Sequence, residues 1–247
     1  MPLISIITIT YNAESTLRPT LFSVNGQTFD DYEHIIVDGA STDGTLGVLS
    51  DPSLANPRRM VQSGPDDGLY DAMNKGMGLS TGRYLLFLNA GDRLHAPDTL
   101  AVIARAITEN DYPGVVYGQT DVVDAEGRFL RPRHLRAPKV LTLDSFRNGM
   151  LVCHQAFVAL KRIAPLYNTR YRFSADYEWC VRCLQHSRRN VGLGDTVLVD
   201  YLSEGLTTAN HRASLLERFR IMCHYYGAVP TVMRHVLFAL RAVRRKF

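Results

Sequence analysis

The stretch YLLFLNAGD at residues 84–92 decides the fold of this chain. Its first five residues, Tyr84 to Leu88, are almost wholly apolar and show no alternation of polar and apolar positions. Such a run is typical of a parallel strand that is covered on both faces. It stops at a polar, glycine-containing turn, residues 89–92. A strand of this kind needs parallel neighbours and helices on both sides of the sheet, so we predict an α/β fold.

The sequence before this stretch alternates strand and helix patterns. β-branched and apolar runs predict strands at 3–9, 33–37 and 60–62, and helical spacing predicts helices at 15–27, from Thr45 and at 70–79. After the central strand, Pro97 opens a further helix that ends near residue 110. This rhythm predicts a Rossmann-like, mostly parallel sheet with right-handed crossovers, flanked by helices.

The rhythm changes after a strand at residues 115–117. The patterns predict a hairpin at 121–130, a strand at 151–160, a helix at 174–186 capped by Ser174, a strand at 191–202 and two helices from residue 213. We therefore divide the chain into a ligand-binding half at 1–110, a mixed half of the same domain at 111–211, and basic amphipathic helices at 212–247.

Composition and charge exclude several classes of protein. The chain has 247 residues, of which 46% are hydrophobic and 21% charged, values typical of a folded globular domain. The net charge is +4, but residues 212–247 hold eight Lys or Arg and one Glu (8 − 1 = +7), which leaves 4 − 7 = −3 for the rest. A near-neutral body argues against nucleic acid as the main ligand.

Neither a signal peptide nor a run of about 18–20 apolar residues is visible, so we expect a cytoplasmic protein. The four cysteines are then expected to be reduced thiols. Cys180 and Cys183 form a CxxC, but no second cysteine or histidine pair accompanies it, and both fall in a helical pattern. We interpret them as core residues.

Polar residues follow three of the predicted strands, at the ends where ligands bind in open α/β sheets. Tyr11 offers an aromatic face for a base, Asp38 an acceptor for a base N–H or a ribose hydroxyl, and Asp92 a hard anionic oxygen. Each aspartate alone is better explained as a turn former or helix cap. Three such ends on neighbouring strands favour one shared site.

No phosphate-binding loop of the GxxxxGK[ST] or GxGxxG type occurs in the chain. A bound diphosphate would therefore need another counter-charge. A Mn²⁺ or Mg²⁺ ion held by one carboxylate and the two phosphates meets that need, and it would also stabilise a leaving diphosphate.

A set of motifs then resembles a known family, the inverting family 2 glycosyltransferases of GT-A fold. The matching segments are 10–12, 23–29, 37–45, 64–76, 87–92, 153–157 and 174–178. Residues 64–76, GPDDGLYDAMNKG, are the most specific and resemble the exopolysaccharide branch, including colanic-acid glycosyltransferases. The resemblance covers roughly residues 2–208.

The resemblance implies a nucleotide-diphosphate-sugar donor, a Mn²⁺ or Mg²⁺ cofactor and a saccharide or lipid-linked saccharide acceptor. It implies that Tyr11 and Asp38 hold the base and ribose, that Asp92 binds the metal and that Asp176 is the general base. The family often carries two or three aspartates where this chain has Asn89, Ala90, Gly91 and Asp92. Further residues expected to contact the donor are Thr10, Asn12, Asp67, Asn74, Lys75 and Asn89, although those of residues 64–76 are equally well explained as solvated helix residues.

Two residues compete for roles beside Asp176. Glu178 lies two positions further along the same predicted helix, where it points about 200° away, so only one of the two carboxylates faces the site. The motif match favours Asp176. His154 is a candidate for contact with a phosphate or the acceptor, and a hydrogen-bonded structural histidine is an equal alternative.

The C-terminal helices present an apolar face and a basic face. The apolar positions are Met233, Val236, Leu237, Leu240 and Phe247, and the basic ones are Arg234, Arg241 and Arg245. This pattern predicts either an interfacial helix on the anionic cytoplasmic face of the inner membrane, a helix packed on the domain, or a homodimer contact.

Two other functions remain open from the sequence alone. A nucleotidyltransferase would need a basic loop to hold a triphosphate, and residues 9–21 offer only Arg18. A non-catalytic nucleotide-sugar-binding relative would be expected to lack Asp92 or Asp176, and both are present.

Overall fold

The computed structural model describes residues 1–203 and 211–244, with side chains except those of 211 and 239–244. Its strands are β1 (Ile4–Thr10), β2 (Tyr32–Asp38), β3 (Arg59–Ser63), β4 (Tyr84–Phe87), β5 (Arg93–Leu94), β6 (Val115–Val123), β7 (Phe129–Pro132), β8 (Phe157–Leu160) and β9 (Asn190–Leu202). Its helices are α1 (Glu14–Asn25), α2 (Thr45–Leu49), α3 (Leu69–Leu79), α4 (Thr99–Glu109), α5 (Ala175–His186), α6 (His211–Tyr226) and α7 (Ala228–Arg244).

The strands form one mixed sheet in the order β3-β2-β1-β4-β8-β6-β9-β5, and β7 pairs with β6. The first four strands of this order are parallel, as predicted, and β8 lies antiparallel between β4 and β6. The predicted α/β class with a Rossmann-like first half and a mixed second half is confirmed. The sheet runs continuously from the first half into the second, because β4 pairs with β8 and β5 with β9.

The strand predicted at 151–160 is shorter than expected. Only Phe157–Leu160 is extended, and a 3₁₀ turn, His154–Ala156, precedes it. The apolar residues of this segment suggested a continuous strand, but the polar pair His154 and Gln155 lies in the turn that directly precedes β8. This turn carries two side chains of the candidate site.

The central strand is buried on both faces, as its composition predicted. On one face Phe87 packs edge-on against Trp179, with ring centroids 5.4 Å apart, and Trp179 stacks on Tyr167. On the other face Leu86 joins a cluster with Ile103 of α4. Cys180 and Cys183 are buried free thiols in the Trp179 cluster, consistent with core packing.

Strand register determines which loops meet. Thr10 at the end of β1 pairs with Asp38 at the end of β2, and Phe87 of β4 lies opposite Ile7. The loops that follow β1, β2 and β4 therefore leave the same edge of the sheet. None of the helices in the described ranges has the length and apolarity that crossing a bilayer requires.

Candidate active site

The loops after β1 and β2 are hydrogen bonded to each other. Asn12 has a left-handed backbone (φ 48°), which asparagine tolerates well. Its N–H donates to Ser41 Oγ at 2.9 Å, and its Oδ1 accepts from the Thr42 N–H at 2.9 Å. The Gly39 N–H donates to the Thr10 carbonyl at 2.9 Å. These bonds fix the loop that carries Tyr11, whose side chain is 65% exposed and free to stack on a planar ligand.

Asp38 is fully buried and holds the second loop in shape. Its carboxylate accepts from the Ser41 N–H at 3.0 Å, from Ser41 Oγ at 2.5 Å and from Ser63 Oγ at 2.6 Å. A contact with a base or ribose, as expected from the sequence, would require one of these bonds to be exchanged.

Gly39 and Asp66 form a second feature beside Tyr11. A Cβ atom at Gly39 would lie 2.6 Å from Asp66 Oδ2 and 3.4 Å from the Tyr11 ring. Glycine at this position therefore lets the Asp66 carboxylate approach the strand end closely. The sequence analysis considered Asp67 and overlooked Asp66. The signal was present in the glycine directly after Asp38, since such glycines often admit a close neighbour.

Asp67, Asn74 and Lys75, the three donor-contact candidates of this segment, lie in different environments. Asp67 is exposed, and its carboxylate is available to a ligand. Lys75 pairs with Asp71 at 2.8 Å and donates to the Pro65 carbonyl at 2.9 Å.

Asn74 is committed elsewhere: its amide exchanges hydrogen bonds of 3.0 and 2.7 Å with the backbone of Tyr167. The donor contact expected of Asn74 stays a prediction, and it would require one of these bonds to be exchanged.

Asp92 is only 3% exposed and is bound on both oxygens. Oδ1 accepts from the Leu202 N–H at 3.0 Å and Oδ2 from Gln155 Nε2 at 2.8 Å. Burial raises the pKa of Asp92 to about 6, although both hydrogen bonds oppose the shift. On the same turn Asn89 keeps a buried Oδ1 without a hydrogen-bond partner. Thr10 Oγ1 is likewise buried and unpartnered.

Asp176 lies at the start of α5, half-buried, with neighbours on both carboxylate oxygens. His154 Nδ1 is 3.5 Å from Oδ2, and the Tyr70 hydroxyl donates to Oδ1 at 3.4 Å. The Tyr177 N–H also donates to Oδ1, at 2.8 Å. Burial acts to raise the pKa of Asp176, but His154, the charge of Arg218 and the Tyr177 N–H outweigh it, so the pKa lies below its ordinary value. The carboxylate is therefore anionic at neutral pH.

Glu178 points away from this site, as helical geometry predicted. It is 3% exposed, accepts from the Tyr225 hydroxyl at 2.6 Å and lies 3.5 Å from Arg182. Its interactions fasten α6 to α5. Because its carboxylate is used inside the core, we favour Asp176 over Glu178 on the acceptor side.

The turn after Cys153 links the two acidic residues. His154 contacts Asp176, while its neighbour Gln155 binds Asp92. His154 is only 7% exposed, and its Nε2 is buried without a partner. Tyr70, which the sequence analysis did not single out, stacks on Tyr167 and also reaches Asp176. Burial and the nearby Asp176 charge raise the pKa of Tyr70, which keeps its hydroxyl protonated as a donor.

Comparison with known proteins identifies the family to which this chain belongs. The family model described as "Glycosyl transferase family 2" matches residues 5–164. The chain is 38% identical over 191 residues to the "PGL/p-HBAD biosynthesis glycosyltransferase" of Mycobacterium bovis, which covers 75% of this chain and 71% of the relative. Over 93 residues, 37% of each chain, it is 38% identical to the "Putative teichuronic acid biosynthesis glycosyltransferase TuaG" of Bacillus subtilis.

Solved structures share the fold. The S. aureus TarS 1–349 crystal structure in complex with UDP-GlcNAc has a TM-score of 0.72 at 19% identity, covering 96% of this chain and 73% of that one. The mannosyltransferase PcManGT of Pyrobaculum calidifontis, in complex with GDP-Man and Mn²⁺, has a TM-score of 0.62 at 17% identity, covering 100% and 81%. These similarities establish a GT-A type architecture. The narrower colanic-acid branch stays a prediction, since the relatives named above belong to glycolipid and teichuronic acid synthesis.

Proposed function

Because the chain belongs to glycosyl transferase family 2 and is a glycosyltransferase, we propose that it transfers a sugar from a nucleotide-diphosphate donor to an acceptor hydroxyl with inversion. The observation that carries this proposal is the Asp176 carboxylate, partly exposed, anionic and oriented by His154 and Tyr70. A hydroxyl is a weak nucleophile at neutral pH, and a positioned carboxylate is the usual remedy.

The chemistry of the step is a direct displacement. Asp176 accepts the proton of the acceptor hydroxyl while that oxygen forms a bond to the anomeric carbon. The bond between the anomeric carbon and the diphosphate oxygen breaks, and the nucleoside diphosphate leaves with the electron pair. One displacement inverts the anomeric centre. The contacts of Asp176 with His154, Tyr70 and the Tyr177 N–H orient the carboxylate toward the acceptor side, and the acceptor hydroxyl is then oriented against it.

The donor's nucleotide is assigned to the loops after β1 and β2. The exposed Tyr11 ring supplies a stacking face, and the Asn12–Ser41 and Asp38–Ser41 bonds hold that face in place. Asp66 approaches Gly39 beside the Tyr11 ring and is a candidate acceptor for base N–H groups or ribose hydroxyls, and the exposed Asp67 follows it in the chain. The structural neighbours were solved with UDP-GlcNAc and GDP-Man, which supports a nucleotide-sugar as the ligand class.

A divalent cation, Mn²⁺ or Mg²⁺, fits the oxygen atoms of the turn after β4. The free Asn89 Oδ1 and the Asp92 carboxylate are hard ligands of the kind that both ions prefer. No group of three or more His, Cys, Asp or Glu side chains in the described ranges is arranged to hold a metal alone, so the donor phosphates would complete the coordination. When bound, the ion supplies counter-charge to the leaving diphosphate. Direct ligation by Asp92 requires its bond to the Gln155 amide to be exchanged.

We propose that the acceptor is a lipid-linked saccharide at an anionic membrane surface. Helix α7 exposes a stripe of apolar side chains at helical spacing: Val229, Val232, Met233, Val236 and Leu237. Arg234 on the same helix donates to Asn148, which fixes the helix to the body of the domain. Residues 212–247 hold one acidic residue among eight basic ones, so the surface complements anionic lipid. The predicted positions Arg245 and Phe247, and the side chains of Leu240 and Arg241, lie outside the described residues.

The proposal is tested by a thermal-shift panel of UDP, GDP and dTDP, each with and without Mn²⁺. A ligand present at 100 times its Kd stabilises the folded state by about 2.7 kcal/mol, which is readily measured. We expect one nucleotide to raise the Tm, and to raise it further with Mn²⁺. If none of the three nucleotides shifts the Tm, with or without Mn²⁺, a site for these nucleotides at the loops after β1 and β2 is ruled out.

A further inference from the structure

The segment that leads into the catalytic helix is held by a residue of a different helix. Three consecutive backbone N–H groups, those of Arg172, Phe173 and Ser174, donate to the Glu217 carboxylate of α6 at 2.8, 2.7 and 3.0 Å. Ser174 is fully buried, and its hydroxyl contacts the Ser214 carbonyl at 3.1 Å, also on α6. Ser174 occupies the N-cap position of α5 without capping it through its own side chain.

These contacts hold the N-cap residue of α5 and the two residues before it. The first N–H groups of a helix, and those just before it, need acceptors that the helix itself does not provide. Here a carboxylate some 43 residues away in sequence supplies them. The negative charge also lies at the positive end of the α5 dipole, where it is favourable. Asp176 is the second residue of α5, so its position follows the position of this segment.

We propose that Glu217 is a positioning residue for the transfer reaction: it anchors residues 172–174 and thereby sets the place of the Asp176 carboxylate against His154. The inference rests on the proposed function of Asp176. It makes α6, outside the segment matched by the family model, part of the catalytic apparatus.

Geometry explains why this anchor matters for rate. Asp176 has contacts of 3.4 and 3.5 Å with Tyr70 and His154, which are too long to hold the carboxylate firmly by themselves. Release of residues 172–174 would let the first turn of α5 shift. A displacement of about 1 Å at a catalytic group can lower the rate by about 10²-fold.

The test compares Glu217→Ala and Glu217→Gln with Glu178→Gln. The control removes the negative charge of Glu178, which accepts from Tyr225 and lies 3.5 Å from Arg182, so it weakens contacts around the same pair of helices without touching residues 172–174. Nucleoside diphosphate release from UDP-GlcNAc and from GDP-mannose, with water as acceptor, gives kcat and KM. Amide hydrogen exchange at residues 172–174 reports the anchor independently of activity.

We expect Glu217→Ala to lower kcat by about 10- to 100-fold with little change in donor KM, and to lose protection of the three amides. Glu217→Gln, which keeps one acceptor oxygen, should recover part of kcat. The inference is overturned if Glu217→Ala matches Glu178→Gln in kcat, or if KM rises while kcat holds. If Glu217→Ala does not fold, Glu217→Gln against Glu178→Gln decides in the same way. A wild-type chain that releases no diphosphate from any donor overturns the proposed function, and this inference with it.

Discussion

The neighbours of Asp176 restrict its carboxylate at both oxygens. The Tyr177 N–H and the Tyr70 hydroxyl converge on one oxygen, which fixes the rotation of the carboxylate. His154 approaches the other oxygen, from the turn that also carries Gln155. Since Gln155 binds Asp92, a rearrangement at Asp92 would be transmitted to Asp176 through two adjacent residues, which in the proposed mechanism join the donor phosphates to the general base. Donor binding and base orientation are therefore expected to be coupled.

Replacing Asp176 by asparagine should separate binding from chemistry. The side-chain shape and the Tyr177 N–H bond are retained, but the proton acceptor is lost. We expect nucleoside diphosphate release to fall by about 10²- to 10⁴-fold, the usual contribution of a general base. Donor Kd, measured by titration calorimetry, should be unchanged. Glu178→Gln on the same helix is the matched control, and turnover at the wild-type level in Asp176→Asn would remove Asp176 from the mechanism.

Substitutions in and around the turn after β4 are expected to change the Mn²⁺ response in opposite directions, which tests metal binding there. Asp92→Ala should abolish the additional Tm increase that Mn²⁺ gives to the nucleotide complex. Gln155→Met removes the amide that competes for Asp92 Oδ2, so it should strengthen the Mn²⁺ response. Asn89→Ala should weaken it through loss of the free oxygen. An unchanged Mn²⁺ response in Asp92→Ala would exclude this carboxylate as a ligand.

At the scale of elements, the two C-terminal helices perform separate tasks. Helix α6 is hydrogen bonded to the domain: Glu217 accepts from the segment before α5, and Tyr225 donates to Glu178 of α5. Helix α7 buries Thr231 but leaves a row of valine, methionine and leucine side chains in water. An isolated exposed apolar residue is ordinary, whereas a contiguous helical stripe indicates a binding surface. The absence of acidic residues from α7 favours a lipid surface over an arbitrary protein partner.

Membrane binding by α7 predicts a defined lipid dependence. The chain should sediment with vesicles of phosphatidylcholine and phosphatidylglycerol, less with phosphatidylcholine alone, and less again at high salt. Val232→Asp combined with Val236→Asp should release it. Val140→Asp is the control, since Val140 is 74% exposed elsewhere on the surface. Equal sedimentation of the double variant would contradict the assignment, and a dimer in light scattering that the double variant dissociates would identify the stripe as a homodimer contact.

At the scale of the whole molecule, the sequence predicted those features of the fold that depend on the local pattern of apolar and polar residues. The run at 84–88 predicted a strand buried on both faces because it is continuously apolar. A strand with one exposed face would alternate apolar and polar residues. The sequence also predicted the positions of Asp38 and Asp92 at strand ends. It did not predict that both carboxylates are occupied by protein donors. Ser63, Gln155 and Leu202 reach them from segments distant in sequence, and Ser41 reaches Asp38 from within the loop after β2. Glu217 was missed for the same reason: its partners lie in another segment.

A buried histidine makes the stability of the whole fold depend on pH. His34 is fully buried in β2, with Nε2 2.9 Å from Thr8 Oγ1 and Nδ1 without a partner. Burial, with a smaller contribution from the charge of Arg59, lowers the pKa of His34 from 6.5 to about 3. In the folded state the ring therefore stays neutral, while the unfolded chain takes up a proton below pH 6.5. Stability from this residue is complete above that pH and is lost as pH falls toward 3.

Each pKa unit corresponds to about 1.4 kcal/mol, so lowering the pH from 7 to 5 should reduce the free energy of unfolding by about 2 kcal/mol through His34 alone. We expect urea unfolding of His34→Leu to show a pH dependence weaker than the wild type by that amount, whatever its stability at pH 7. His224→Gln, at an exposed histidine, should keep the wild-type slope. Parallel slopes for wild type and His34→Leu would mean that the folded state admits the proton, through local opening of β2 or through water at Nδ1.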